Sequence, residues 1–217
     1  MADLAIIDYG MGNLRSVANA LRHVAPVQDR VVVTSDPAVV LAADRVVFPG
    51  QGAARDCMHE LRAYGLEEAV REAAHTRPFL GVCMGMQVLL ERSEENGGTP
   101  CLGVYAGEVR YFGAAPRDPS TGEHLKVPHM GWNRVDPVRE HPLWDGIAPG
   151  ARFYFANSYY VAPADAGLAV ATTDYGIRFC SALARDNVFA IQCHPEKSAE
   201  AGLRLLSNFA RWDGAAG

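Results

Sequence analysis

The sequence contains no apolar run near the ~20 residues that cross a bilayer, so no membrane-spanning helix is expected. Basic charge is also in short supply. Twenty Lys and Arg stand against 25 Asp and Glu, a net charge of −5, and no Lys/Arg stripe occurs. A nucleic-acid wrapper or a polybasic membrane binder is therefore disfavoured. The five cysteines, Cys57, Cys83, Cys101, Cys180 and Cys193, form neither an even disulfide framework nor a CxxC zinc pair. Residues 1–8 carry an early acid and no basic segment, and their apolar stretch is too short for a secretory signal. A reducing, cytoplasmic setting is the expectation. There is no internal repeat, linker or low-complexity tract. Cofactor motifs are missing too. No Gly-Lys-Ser/Thr follows Gly50-Gln51-Gly52, and Arg15 stands where the dinucleotide fingerprint of Gly10-x-Gly12 would need glycine. No metal and no cofactor is implied.

What is present fits one domain spanning residues 1–217. Hydrophobic residues are 49% and charged residues 21%, ordinary globular usage. A chain of this length buries roughly 70% of its unfolded surface without staples. Ala5-Ile6-Ile7 reads as a buried strand ending in the turn Asp8-Tyr9-Gly10-Met11-Gly12-Asn13. Leu14, Val17, Ala18, Leu21 and Ala25 then recur at helical spacing, with Asn13 as N-cap. A strand over 31–33, a short helix over 38–43 behind Asp36-Pro37 and a strand over 45–48 follow. Pro49-Gly50-Gln51-Gly52 cuts that strand and opens no clear helix. A helix through 66–75, a strand over 79–82 and a helix over 84–92 complete the first part. Strands alternating with helices imply βαβ units and a parallel sheet. Later, strand-like runs dominate: 107–112, 132–135, 153–161, 168–173, 177–183 and 188–191. Residues 113–123 read as an exposed loop, and 198–212 as a closing helix with Leu203, Leu206 and Ala210 on one face.

The strongest chemical signal is Gly81-Val82-Cys83-Met84-Gly85, between a strand and a helix. This is the spacing of a nucleophile elbow with cysteine as the nucleophile. A sharp turn leaves no room for side chains two residues to either side, hence the two glycines. The following helix start favours thiolate, and the Met84 N–H can donate half of an oxyanion hole. The bland alternative is a buried structural cysteine. A thiol needs a base. Six of the seven histidines, His129 and His141 among them, sit in ordinary sequence surroundings. His194 follows the apolar run 188–191, where a strand end would lie. Glu196 is two residues on, and an extended backbone stiffened by Pro195 would put both side chains on one side. A row Cys83–His194–Glu196 results. The Gly50-Gln51-Gly52 loop is taken as the second oxyanion donor; its bland alternative is a tight turn.

Together these elements closely resemble the triad-type class I glutamine amidotransferases over nearly the whole chain. Pro49-Gly50-Gln51-Gly52 is similar to the family's oxyanion strand, Gly81-Val82-Cys83-Met84-Gly85-Met86-Gln87 to its nucleophile motif and His194-Pro195-Glu196 to its His–Glu pair. Asp8-Tyr9-Gly10-Met11-Gly12-Asn13-Leu14, Val127-Pro128-His129-Met130-Gly131-Trp132-Asn133 and His194-Pro195-Glu196-Lys197-Ser198 resemble the branch that feeds ammonia to imidazole glycerol phosphate synthesis. The resemblance implies a flavodoxin-like α/β glutaminase domain in which Cys83 attacks the glutamine amide and His194 moves the proton. It implies that Gln87, Glu95, Ser158 and Tyr159 hold the substrate, Glu95 meeting the α-ammonium. It also implies a separate (β/α)₈-barrel cyclase. That protein would turn ammonia and a phosphoribulosyl-aminoimidazole nucleotide into imidazole glycerol phosphate and an aminoimidazole carboxamide ribonucleotide. Asn13, Met130, Trp132 and Lys197, with Tyr159, are the implied partner contacts. The glutaminase of another ammonia-using synthase, a cysteine peptidase of similar fold and a catalytically silent module are the rival assignments. Two departures stand out: a long loop over 113–126, and Gln51, where other members can carry a different residue.

Overall fold

The first part of the chain alternates strands and helices as the hydrophobic periods require. It runs β1 (Asp3–Ile7), α1 (Leu14–Val24), β2 (Arg30–Thr34), α2 (Pro37–Ala42), β3 (Arg45–Gly50), α3 (Ala54–Ala63), α4 (Glu67–Thr76), β4 (Phe79–Cys83) and the single turn α5 (Met84–Gln87). Strands then take over: β5 (Leu90–Ser93), β6 (Thr99–Pro100), β7 (Tyr105–Tyr111), β8 (His129–Arg134), β9 (Asp136–Pro137), β10 (Arg152–Asn157), β11 (Tyr159–Pro163), β12 (Ala169–Tyr175), β13 (Ile177–Arg185) and β14 (Val188–Ile191). Helix α6 (Ala199–Arg211) closes the chain. The computed structural model describes residues 1–215.

Strands β2, β1, β3, β4 and β14 lie side by side in that order, all parallel. This is the flavodoxin-like order, with β14 as the fifth strand. Strand β13 then reverses direction, and β11, β7, β5 and β6 widen the sheet. The period of two sends alternate residues to opposite faces. Leu4 and Ile6 of β1 pack with Val17 and Leu21 of α1 and Leu205 and Phe209 of α6. Ala5 and Ile7 join Met58 and Leu61 of α3 and Val70 of α4 on the other face. Strands β8 and β10 form a separate ribbon. No helix among the described residues is long and apolar enough to cross a membrane.

Several sequence expectations are corrected. Asn13 occupies the N-cap of α1, but its side chain makes no capping bond. A helix does open after Gly52: Ala54, Cys57, Met58 and Leu61 of α3 are buried at helical spacing. Its start is hard to read because its first residues hold no capping side chain. The cap comes from Glu95, whose Oε2 accepts the Ala54 N–H at 2.7 Å. The helix expected over 84–92 stops after one turn, because Leu90 and Arg92 pair with Tyr105 and Glu108 of β7. The run 153–161 is two strands in different sheets. Asn157 Nδ2 bonds the Tyr159 carbonyl across the break at 2.9 Å. On α6 the buried stripe is Leu205, Leu206, Phe209 and Ala210, and Leu203 is only half-buried.

Candidate active site

Parallel strands deliver all their carboxyl ends to one edge of a sheet. At that edge the exits of β1, β3, β4 and β14 surround a cleft of about 720 Å³. Cys83 and His194 both line it, although 111 positions separate them in the sequence. Their strands are neighbours, with Val82 opposite Ile191.

Cys83 sits at φ 54°, ψ −108°, a conformation that costs an L-residue about 1–3 kcal/mol. The glycines two residues away are steric necessities. A Cβ on Gly85 would overlap the Phe48 carbonyl oxygen, and one on Gly81 would come within 2.8 Å of the Gly85 carbonyl oxygen. Met84 opens α5 and lines the cleft. Because α5 is a single turn, the unpaired N–H groups of its first residues are the only electrostatic support a helix start provides here.

His194 is buried, and its Nδ1 lies 3.0 Å from Glu196 Oε1. The geometry of that contact differs from the expected one. Residues Pro195–Lys197 form a 3₁₀ turn, so the pair meets across a tight turn rather than along extended backbone. Burial alone would lower the imidazole pKa. The neighbouring Cys83 sulfur and the Glu196 carboxylate, the latter hydrogen-bonded to the ring, outweigh burial and raise it to about 10. The turn is clamped from below: Ser198 Oγ donates to the His194 carbonyl at 2.6 Å and accepts from the Tyr154 N–H at 2.9 Å.

The remaining expected residues divide into three groups. Gln51, Gly52, Gln87, Glu95, Ser158 and Tyr159 all line the cleft. Gly52 has φ +88°, a conformation that favours glycine. Gly50 lies behind the wall, pressed against Tyr9 and Met84, and has no room for a side chain. Gln87 is buried, with its Nε2 committed to the Tyr159 carbonyl at 3.2 Å and to Gln192 Oε1 at 3.0 Å. Lys197 also lines the cleft, its Nζ 5.8 Å from the centre of the Tyr154 ring. Asn13, Met130 and Trp132 lie outside it; Met130 is 64% exposed and Trp132 47%.

Sequence reasoning missed Gly10, Met11, Gly12 and Pro128 as cleft wall, and Gln192, whose Nε2 lies 3.6 Å from Cys83 Sγ. The first three were legible as a glycine loop at a strand exit, the same signal that marked Gly50–Gly52. The other four cysteines are buried. Burial pushes the Cys57 and Cys180 thiols up to about 12 and Cys101 to about 11, with Cys193 also raised, which makes them poor nucleophiles. His129 and His141 are not in ordinary surroundings as expected. Both are buried, and loss of solvation lowers each to about 4. His129 stacks between Tyr175 and Phe155 at 3.9 and 4.7 Å.

A thiol, an imidazole and a carboxylate in a row at the strand ends of a doubly wound sheet are the framework of a cysteine-dependent acyl-transfer enzyme. The family model for class-I glutamine amidotransferases matches residues 5–212. The chain is 61% identical to the imidazole glycerol phosphate synthase subunit HisH of Aromatoleum aromaticum, over 98% of this chain and 99% of that protein. It is 56% identical to the HisH subunit of Nitrosococcus oceani, over 99% of each. A solved glutamine amidotransferase superposes with a TM-score of 0.69 at 16% identity, covering 96% of this chain and 99% of that one. A chain in the structure of PurLQS from Thermotoga maritima gives 0.66 at 17% identity, covering 97% and 99%. At such identities these two show the fold alone. The chain belongs to the class-I glutamine amidotransferases, in the group of the HisH subunits of imidazole glycerol phosphate synthase. Being one subunit of a synthase, it implies a partner subunit.

Proposed function

We propose that this chain, acting as one domain in the cytoplasm, hydrolyses glutamine through Cys83, His194 and Glu196 and hands the ammonia to a (β/α)₈-barrel cyclase. The observation that carries the reading is the convergence of Cys83 and a Glu196-bonded His194 in one cleft. A raised imidazole beside a thiol favours the thiolate–imidazolium pair. The thiolate attacks the glutamine Cδ, and the N–H of Met84 and the Gln51–Gly52 backbone hold the oxyanion. Imidazolium gives its proton to the departing amide nitrogen, which leaves as ammonia. Water then attacks the γ-glutamyl thioester, neutral His194 takes its proton, and glutamate leaves with the thiolate restored. Glu95 uses Oε2 to cap α3, which leaves Oε1 for the substrate α-ammonium. The cyclase combines the ammonia with a phosphoribulosyl-aminoimidazole nucleotide, giving imidazole glycerol phosphate and an aminoimidazole carboxamide ribonucleotide. The test is a glutamine-dependent assay of the purified chain with and without the barrel protein. Glutamine-driven cyclisation only in the mixture supports the proposal, and failure of the two proteins to associate overturns it.

Two expected results follow from this site. His194 must be protonated to expel ammonia, so the alkaline limb of kcat/KM lies far above 6.5, toward 10. Glu196→Gln removes one of the groups that raise the imidazole. The limb then moves down by about one pH unit or more, and kcat/KM at neutral pH falls about 10–100-fold. The linked stability has the same sign. A raised imidazole stabilises the fold fully below pH 6.5, and that contribution fades as pH rises toward 10. A pH–rate profile of both proteins, with urea unfolding at pH 6 and 9, checks this.

The second result concerns the partner. Alternation along the β8–β10 ribbon buries Phe153 and Phe155 and turns Met130, Trp132 and Tyr154 outward, with Trp132 opposite Tyr154. This aromatic and methionine face borders the cleft, since Met130 pairs with cleft residue Ala156. Such residues dominate interface cores. Trp132→Ala is expected to bind the barrel protein about 30-fold more weakly by calorimetry, at an unchanged melting temperature because Trp132 is half exposed.

A further inference from the structure

Beyond the thiol–imidazole–carboxylate row, one buried polar side chain touches the reacting sulfur. Gln192 follows β14 and is fully buried, and its Nε2 lies 3.6 Å from Cys83 Sγ, 109 residues away in sequence. Its Oε1 accepts from Gln87 Nε2, which also donates to the Tyr159 carbonyl. These contacts determine both amide orientations. A backbone carbonyl only accepts, so Gln87 must present its NH₂ group to Tyr159. The same NH₂ meets Gln192, which must answer with oxygen. The Gln192 NH₂ is thereby left for the sulfur. A hydrogen bond donated to a thiolate stabilises the anion and does little for the neutral thiol. In a buried site such a donor matters more, because the anion has lost its water. The helix after Cys83 is a single turn and offers little beyond its first N–H groups.

We propose that Gln192 donates a hydrogen bond to the Cys83 thiolate and favours that form, and that Gln87, anchored on Tyr159, is a positioning residue that holds the Gln192 amide in the donating orientation. The proposal rests on Cys83 being the nucleophile. It also gives the cleft wall at Tyr159 a physical link to the sulfur, through two side chains whose amides cannot turn independently. If the two glutamines merely filled a polar hole, replacing them would alter stability but not the titration of the sulfur.

The test is the pH dependence of iodoacetamide alkylation at Cys83 in the full chain, with the modified peptide identified by mass spectrometry. The four buried, high-pKa thiols react slowly, so Cys83 dominates at short times. Gln192→Leu is expected to raise the alkylation midpoint by about one pH unit and to lower kcat/KM for glutamine at neutral pH about 10-fold, with KM changed by no more than about twofold. Gln192→Glu, nearly isosteric and serving as the second variant should the leucine form fail to fold, raises it further by placing a carboxylate beside the sulfur. Gln87→Leu produces part of the shift, and the double leucine variant shifts no more than Gln192→Leu alone, since both act through one donor. Additive shifts would remove the positioning role of Gln87. An unchanged midpoint in both Gln192 variants overturns the proposal. Cys83→Ala, measured in parallel, keeps the two assignments apart. Glutaminase activity surviving in that variant removes the nucleophile itself, whereas an inactive Cys83→Ala with unshifted Gln192 variants removes Gln192 alone.

Discussion

Cys83→Ala is expected to reduce glutamine hydrolysis about 10⁴-fold or more, while the variant's complex with its partner still makes product from added ammonium salt. The size follows from the chemistry. Without the sulfur there is no thioester, and water must attack an unactivated amide directly. The selectivity follows from the placement of the site. Cys83 is buried at the end of β4 inside this chain's own cleft, so loss of this proposed nucleophile is expected to stop ammonia release and to leave the partner's chemistry alone. Alanine is also small enough to accept the backbone of the elbow with little added strain. The measurement is glutamate release by a coupled dehydrogenase assay, set beside product formation with ammonium chloride. Loss of both activities in a folded complex would mean that Cys83 supports the partner interface instead of the hydrolysis.

The next largest effect is expected from Gly85→Ala. The added methyl group would overlap the Phe48 carbonyl oxygen, a backbone atom of β3 held in the sheet beside β4. A flexible side chain could yield; this atom cannot without disturbing the ladder that carries both Cys83 and Gly50. Overpacking of this kind costs about 3 kcal/mol or more. Relief by shifting α5 would displace Cys83, the proposed nucleophile, and a misplacement near 1 Å lowers turnover about 100-fold. Urea unfolding and glutaminase assays on the same preparation measure both. A wild-type midpoint with wild-type turnover would show that the elbow has slack that its geometry does not suggest.

Much of this site is legible in the sequence because its signals are local and steric. Two glycines flanking a cysteine describe a turn in which a side chain meets backbone, and the structure shows both collisions. His194 and Glu196 are two residues apart, so some contact between them is foreseeable. Its form is not, because a 3₁₀ turn and an extended strand both permit it. Helix α3 escapes a sequence reading for a related reason. Its cap, Glu95, lies 41 residues away from Ala54, and no window along the sequence contains both. Strand β5 reads as helix because its partner β7, not its own spacing, decides its backbone.

The amino-acid order alone determined the alternation of strands and helices, the turn that presents Cys83 and the adjacency of His194 to Glu196. Each of these depends on sterics and periodicity within a few residues. Only the tertiary structure decided that β14, arriving late in the chain, lies beside β4, and that Gln192 consequently reaches the sulfur. Which of several apolar strands pair is settled by how completely every face is covered at once, and that competition among distant segments leaves no mark in any single stretch of sequence.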